Sequence, residues 1–230
     1  MTDFESFREN CLKLRERVAA AESAAARKPG EVKILPVTKN HPIDAVAYAA
    51  KLGFKGVGEN RVQEAVEKIK SSSLEIEWEL IGHLQTNKAK IAAKYFSRIQ
   101  SLDSARLAQK LDAAAKSEGR MLPVLLEINA GADPAKFGAS MDGAAALLES
   151  VLALPNLEVQ GLMTVAPLDS DLDTASRCFA NLRTLRDKLR DSFKIPLPEL
   201  SMGMSHDLER AIAEGSTMIR VGTFLYGERI

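Results

Sequence analysis

Cysteine, histidine and tryptophan are scarce in this 230-residue chain, at two, three and one respectively. Cys11 and Cys178 form no disulfide framework and no ligand-type spacing, and both fall on apolar faces of predicted helices, where burial is expected. His41, His83 and His206 lack any short ligand spacing, so no metal site is expected. Trp78 is expected to pack rather than to stack on a ligand. Neither sign of charge is in excess, with 31 Lys+Arg against 31 Asp+Glu, so no global field draws nucleic acid or anionic lipid, and a small ligand is favoured. The longest apolar stretch, Ala144 to Leu154, is broken by Glu149 and Ser150 and falls short of the ~20 residues that span a bilayer. The first residues mix acids into a helix-like pattern without a basic region followed by an apolar run, which excludes a secretory signal and leads to the expectation of a cytoplasmic protein. No Gly/Ser linker, charge block or shift in composition divides the chain, so residues 1–230 are expected to form one domain, by default a monomer.

What is present is ordinary globular composition, 46% hydrophobic and 27% charged. Phe4, Phe7, Cys11, Leu14 and Val18 recur at steps of three and four, predicting an amphipathic helix from residue 3 to about 27, ended near Pro29 and Gly30. Short β-rich runs then alternate with helical patterns. Strands are expected at 32–37, 56–58, 78–81, 98–100, 123–128 and 157–162, then one ending at Leu200 and one at 217–221. The helices between them include 43–51, 61–70, 87–93, 141–152 and 206–214. Such βα alternation without hairpin signals predicts an α/β fold, a single (β/α)₈ TIM-type barrel with an extra N-terminal helix and little or no final helix. A doubly wound open sheet is the alternative.

In a barrel, function gathers at the C-terminal ends of the strands, often with a phosphate site after strands seven and eight. Here the seventh strand leads into Ser201-Met202-Gly203-Met204-Ser205-His206-Asp207 and the eighth into Gly222-Thr223. Backbone N–H groups, hydroxyls and a helix start there suit an anion, although the glycines are equally explained by chain turning alone. Strand one ends in Val37-Thr38-Lys39. A lysine at a barrel rim either snorkels into solvent or, if desolvated, serves as a Schiff-base amine. With a phosphate corner in the same mouth, pyridoxal phosphate becomes the candidate ligand. Gly203-Met204-Ser205-His206-Asp207 lacks the second glycine of a hydrolase elbow. Asp169-Ser170-Asp171-Leu172-Asp173 lacks the glycine and distal glutamate of a calcium loop and reads as an acidic helix start.

Six ordered blocks carry a resemblance that spans the chain from strand one to its end. They are Val37-Thr38-Lys39, Gly58-Glu59-Asn60-Arg61-Val62-Gln63-Glu64, Ile81-Gly82-His83-Leu84-Gln85-Thr86-Asn87-Lys88, Gly161-Leu162-Met163-Thr164, Leu200 to Ser205 with Asp207, and Ile219 to Thr223 running to Gly227-Glu228-Arg229. Together they resemble the pyridoxal phosphate homeostasis protein family, whose barrel is similar to the N-terminal domain of alanine racemase. The resemblance implies pyridoxal 5'-phosphate as cofactor, carried as an aldimine on Lys39. It further implies that Ser205 and the main chain of Gly222 and Thr223 hold the phosphate and that Arg220 faces the pyridine nitrogen. Asn60, His83 and Met163 would surround the ring, with Ser201 and Met202 near the phosphate loop. It implies a homeostatic role without substantial turnover, the second β-domain of alanine racemase being absent, with cofactor-requiring apoenzymes as transient recipients. A racemase or lyase acting on an amino acid is the alternative, and a barrel for a phosphorylated metabolite a third. Two departures, Glu79 in place of a frequent histidine and Asp133 in place of a usual glutamate, bear on the electrostatics of the mouth.

Overall fold

The computed structural model describes residues 1–167 and 171–227. The first two residues of the calcium-like segment, Asp169 and Ser170, and the terminal Glu228 and Arg229 lie outside that range. Eight strands are present among the described residues: β1 (Lys33–Pro36), β2 (Gly56–Glu59), β3 (Glu77–Leu80), β4 (Arg98–Leu102), β5 (Leu122–Glu127), β6 (Leu157–Met163), β7 (Glu199–Ser201) and β8 (Met218–Val221). Every pairing is parallel, in the order β1-β8-β7-β6-β5-β4-β3-β2. The ring closes where Val37 bridges Gly58 and the Thr38 N–H donates to the Gly58 carbonyl at 3.0 Å. The expected barrel is therefore the observed one, and the open sheet is excluded.

The helices are α1 (Phe4–Ala24), α2 (Ile43–Lys51), α3 (Val62–Lys70), α4 (Ala89–Tyr95), α5 (Ala105–Ser117), α6 (Ala144–Leu152), α7 (Leu172–Phe193), α8 (Leu208–Ala213) and α9 (Thr223–Tyr226). Boundaries shift where local chemistry competes with periodicity. Asp3 caps α1 through the Ser6 N–H at 2.8 Å, and the helix stops at Ala24, before the left-handed Ala26. Helix α6 starts three residues later than expected, because Ser140 and Gly143 bond to each other in a turn. The final helix is only four residues long. Helix α1 covers the space beside it: Phe7 stacks on Tyr226 of α9 at 4.9 Å, Phe4 meets Tyr48 of α2 at 5.2 Å, and Arg17 pairs with Glu209 of α8 at 2.7 Å. Its predicted stripe, Phe7, Cys11, Leu14 and Val18, is buried. Each large side chain sealed in this way contributes roughly 1.5–3 kcal/mol.

Period-two alternation divides the core into two parts. Outward residues such as Trp78, Leu80, Leu126, Leu200, Met202 and Ile219 join the helices in one apolar shell. Both cysteines are buried in that shell, as expected. The inward set is unusually polar. Arg98, Gln100, Ser201 and Arg220 are all buried and, with Glu79, form one hydrogen-bonded chain across the barrel.

Candidate functional site

The C-terminal strand ends bring the predicted residues to one mouth. Lys39, two residues beyond Val37, continues the inward parity of Leu35 and Val37 and is half-buried. Asn60 follows β2, His83 follows β3, Met163 ends β6, Ser201 ends β7 and Arg220 lies in β8. Two glycines make the loops possible. A Cβ on Gly82 would stand 2.4 Å from the Asn60 carbonyl oxygen, and Gly203 has φ +95° with a virtual Cβ 2.5 Å from that of Ala211. Gly82 lets its loop touch the backbone of Asn60, and Gly203 lets its turn pack against the Ala211 side chain.

Arg220 is fixed by a chain of bonds along the barrel axis. Its guanidinium donates to Ser201 Oγ at 2.7 Å and to the Thr164 carbonyl at 2.8 Å. Ser201 donates to Gln100 Oε1 at 2.6 Å, and Gln100 Nε2 donates to Glu79 Oε2 at 2.6 Å. Glu79 also accepts both Nε and Nη2 of Arg98, at 2.7 and 3.0 Å. Burial lowers the Arg220 pKa to about 10, opposed by Glu127 and Asp207, so the group stays a cation at neutral pH.

Glu127 is the feature that the motifs missed. It ends β5 with inward parity, and its carboxylate is buried with Oε2 lacking any hydrogen-bond partner among the described residues. Burial pushes its pKa up to about 7, the nearby Asp103 pushes it further, and Arg220 opposes them. A charged residue closing an otherwise apolar strand was the available signal. On the rim, His83 is exposed, with Nδ1 3.3 Å from Asp103 Oδ2, and its ring stacks on Phe137 at 3.9 Å.

Ser205 and Thr223 border one open cavity of about 420 Å³ together with Arg17, His206 and Phe224. Arg17 reaches it from α1, donating to the Ser205 carbonyl at 3.3 Å and lying 5.2 Å from the Phe224 ring centre. No local pattern could place Arg17 there, because it is 188 residues from Ser205. Gly222, just before α9, packs against Val37. Met202 does not line this corner: its side chain is fully buried in the outer apolar shell, as strand parity requires after the inward Ser201.

The expected influence of Glu79 on the mouth also fails. Glu79 lines the opposite end of the barrel, in a cavity of about 790 Å³ closed by α1 and bordered by Val18, Phe54, Arg98 and Met218. This cavity is larger than the one beside Ser205, and the Glu79 carboxylate and Arg98 guanidinium that border it are paired with each other. Among the described residues no cluster of three or more His, Cys, Asp or Glu suits a metal, and no helix is long and apolar enough to cross a membrane.

Comparison with known proteins places this geometry in context. The profile of the family described as alanine racemase, N-terminal domain, matches residues 3–230. The pyridoxal phosphate homeostasis protein of Aquifex aeolicus is 40% identical over 215 residues, covering 93% of this chain and 94% of the relative. The structure of PipY from Synechococcus elongatus with pyridoxal phosphate bound superposes with a TM-score of 0.80 at 37% identity, covering 91% of this chain and all of that one. An alanine racemase of Clostridium difficile shares the fold, with a TM-score of 0.80 at 18% identity over 97% of this chain and 57% of its own.

Proposed function

Since the chain belongs to the pyridoxal phosphate homeostasis proteins, within the alanine racemase N-terminal-domain family, we propose that it binds pyridoxal 5'-phosphate through Lys39 and serves to hold and release it rather than to turn over a substrate. The observation that carries this reading is the joint placement at one barrel mouth of an inward lysine, a buried arginine and a hydroxyl-lined open corner. The residues fit the group. A phosphate would have Ser205, Thr223, Arg17 and His206 around a single cavity, and the buried Glu127 Oε2, without a hydrogen-bond partner among the described residues, is an atom that a bound polar ring would satisfy.

When bound, the cofactor supplies an aldehyde that condenses reversibly with a primary amine and a ring able to withdraw electrons. Lys39 is the amine. Ser205 and Thr223 would hold the phosphate, and Asn60, His83 and Met163 would border the ring. Arg220 is a cation held by Ser201 and Thr164. Were it to face the pyridine nitrogen, it would oppose protonation there and leave the ring a weak electron sink. That electrostatic arrangement disfavours carbanion chemistry and favours carriage. The half-buried lysine and exposed His83 leave the mouth open to incoming amines; in this reading cofactor-requiring apoenzymes are the recipients, and the carrier acts as a monomer in the cytoplasm.

The direct test is the visible absorption of the protein mixed with pyridoxal phosphate, then borohydride reduction and peptide mass mapping. A pyridoxyl label on Lys39 is expected; a protein that takes up none overturns the reading. Prolonged incubation of the loaded protein with L-alanine in heavy water is expected to leave the α-hydrogen in place, whereas steady exchange would make it an enzyme. In the phosphate corner, the double change Ser205→Ala and Thr223→Ala removes two hydroxyl partners. Each hydrogen bond to a charged group contributes about 1.5–3 kcal/mol, so the dissociation constant is expected to rise by at least tenfold while Lys39 is still labelled at saturating cofactor. Unchanged retention in equilibrium dialysis removes these side chains from the phosphate site.

A further inference from the structure

Behind the lysine, on the outer side of the barrel, lies a cluster that the binding reading leaves unused. Lys68 of α3 is a buried ammonium whose three bonds go to the Thr38 carbonyl at 2.8 Å, Glu59 Oε1 at 2.7 Å and Glu64 Oε1 at 2.8 Å. Thr38 Oγ1 donates to the same Glu59 oxygen at 2.7 Å. Glu64 Oε1 in turn accepts the backbone N–H of Asn40 at 2.6 Å. The two residues on either side of Lys39 are thus both tied to one ion-paired group on α3. Asn40 has φ +59°, a left-handed conformation that asparagine tolerates but that still needs support.

We propose that Lys68 and Glu64 are positioning residues that hold the backbone around Lys39 so that its amine points into the mouth. The inference rests on the reading of Lys39 as the cofactor's anchor. Its physical basis is that a buried ion pair is a poor source of stability, because desolvation offsets most of the attraction. This one also leaves Glu59 Oε2 buried and without a hydrogen-bond partner among the described residues, a cost that apolar packing between β2 and α3 would avoid. What the cluster provides in return is geometry: both bonds to the turn come from a rigid helix, and a reactive amine gains rate from a fixed approach. Like Thr38, Glu59 points away from the barrel interior, so the cluster acts on Lys39 through the main chain rather than by touching a ligand.

Glu64 is the residue to change, since it is partly exposed, with 23% of its side chain accessible, and its removal leaves the Lys68–Glu59 pair. Glu64→Ala loses the acceptor for the Asn40 N–H, whereas Glu64→Gln keeps a carbonyl oxygen there. Two readouts are taken on both variants: the rate at which pyridoxal phosphate becomes fixed to Lys39 by borohydride, and the labelling of Lys39 in cofactor-free protein by an acetylating ester, relative to surface lysines. Glu64→Ala is expected to change both by about tenfold, the scale of a misplaced reactive group, with the melting temperature nearly unaltered and Glu64→Gln close to wild type. Wild-type behaviour of Lys39 in Glu64→Ala overturns the proposal, as does an equal defect in Glu64→Gln. If no cofactor is fixed to Lys39 in the wild type, the anchor reading fails by itself. The ester labelling then decides positioning: an altered Lys39 in Glu64→Ala supports it and an unaltered one overturns it.

Discussion

Lys39→Ala abolishes the borohydride-fixed pyridoxyl label while the cofactor-free protein keeps its circular dichroism and melts within a few degrees of wild type. The expectation of an intact fold comes from location. Lys39 is half-buried, past the last paired residue of β1, outside the apolar shell that carries most of the stability. Truncation of a side chain outside the apolar core usually costs little. The expectation of complete loss comes from chemistry, because among the described strands Lys39 is the lysine that continues an inward strand parity into the mouth. Non-covalent retention should survive in part through Ser205, Thr223 and Arg17, so equilibrium dialysis is expected to show weakened binding rather than none. A pyridoxyl label of wild-type yield on another lysine of the variant would refute Lys39 as anchor.

Glu127→Gln raises stability at pH 8 and leaves it nearly unchanged at pH 4. Burial holds the folded-state pKa of Glu127 at about 7, against the ordinary 4.5. Below pH 4.5 the carboxyl is protonated in both states and contributes no difference. Between 4.5 and 7 the unfolded chain releases the proton that the folded protein keeps, so stability falls as the pH rises, and above 7 the full penalty is present. At about 1.4 kcal/mol per pKa unit the penalty reaches about 3 kcal/mol. Glutamine, neutral at every pH, is free of it. For a chain of this length the gain corresponds to a rise in melting temperature of about 6–12 °C at pH 8. The group that opposes the shift is Arg220 and the one that adds to it is Asp103. Thermal melts of both proteins across this range decide the matter: curves that stay parallel, without separating between pH 4.5 and 7, would show that Glu127 ionises normally in the folded protein.

Much of the architecture was legible from local pattern. Alternating β-rich runs and 3.6-period stretches are local consequences of side-chain direction, and eight of them in succession suit only a few topologies. The residue spacing in Val37-Thr38-Lys39 already directed the lysine inward once Val37 was recognised as inward. The same parity, applied to Ser201 and Met202, sends one into the barrel and the other out, which motif matching alone did not register. Boundaries were less legible, as at α6, where the Ser140 and Gly143 turn takes three residues that periodicity had assigned to the helix.

From the order of residues came the fold class, the helical stripe of α1, the mouth residues after each strand, and the blocks that tie the chain to its family. Only the tertiary structure decided that Glu79 belongs to the far end of the barrel, that Arg17 borders the cavity beside Ser205 and Thr223, that an axial chain from Arg98 to Arg220 runs through the barrel, and that Glu127 holds an oxygen without a hydrogen-bond partner among the described residues. These groups are separated by dozens to nearly two hundred residues. Side-chain periodicity reports only which way a residue faces on its own element. Burial, desolvation and charge pairing depend on what barrel closure brings opposite it.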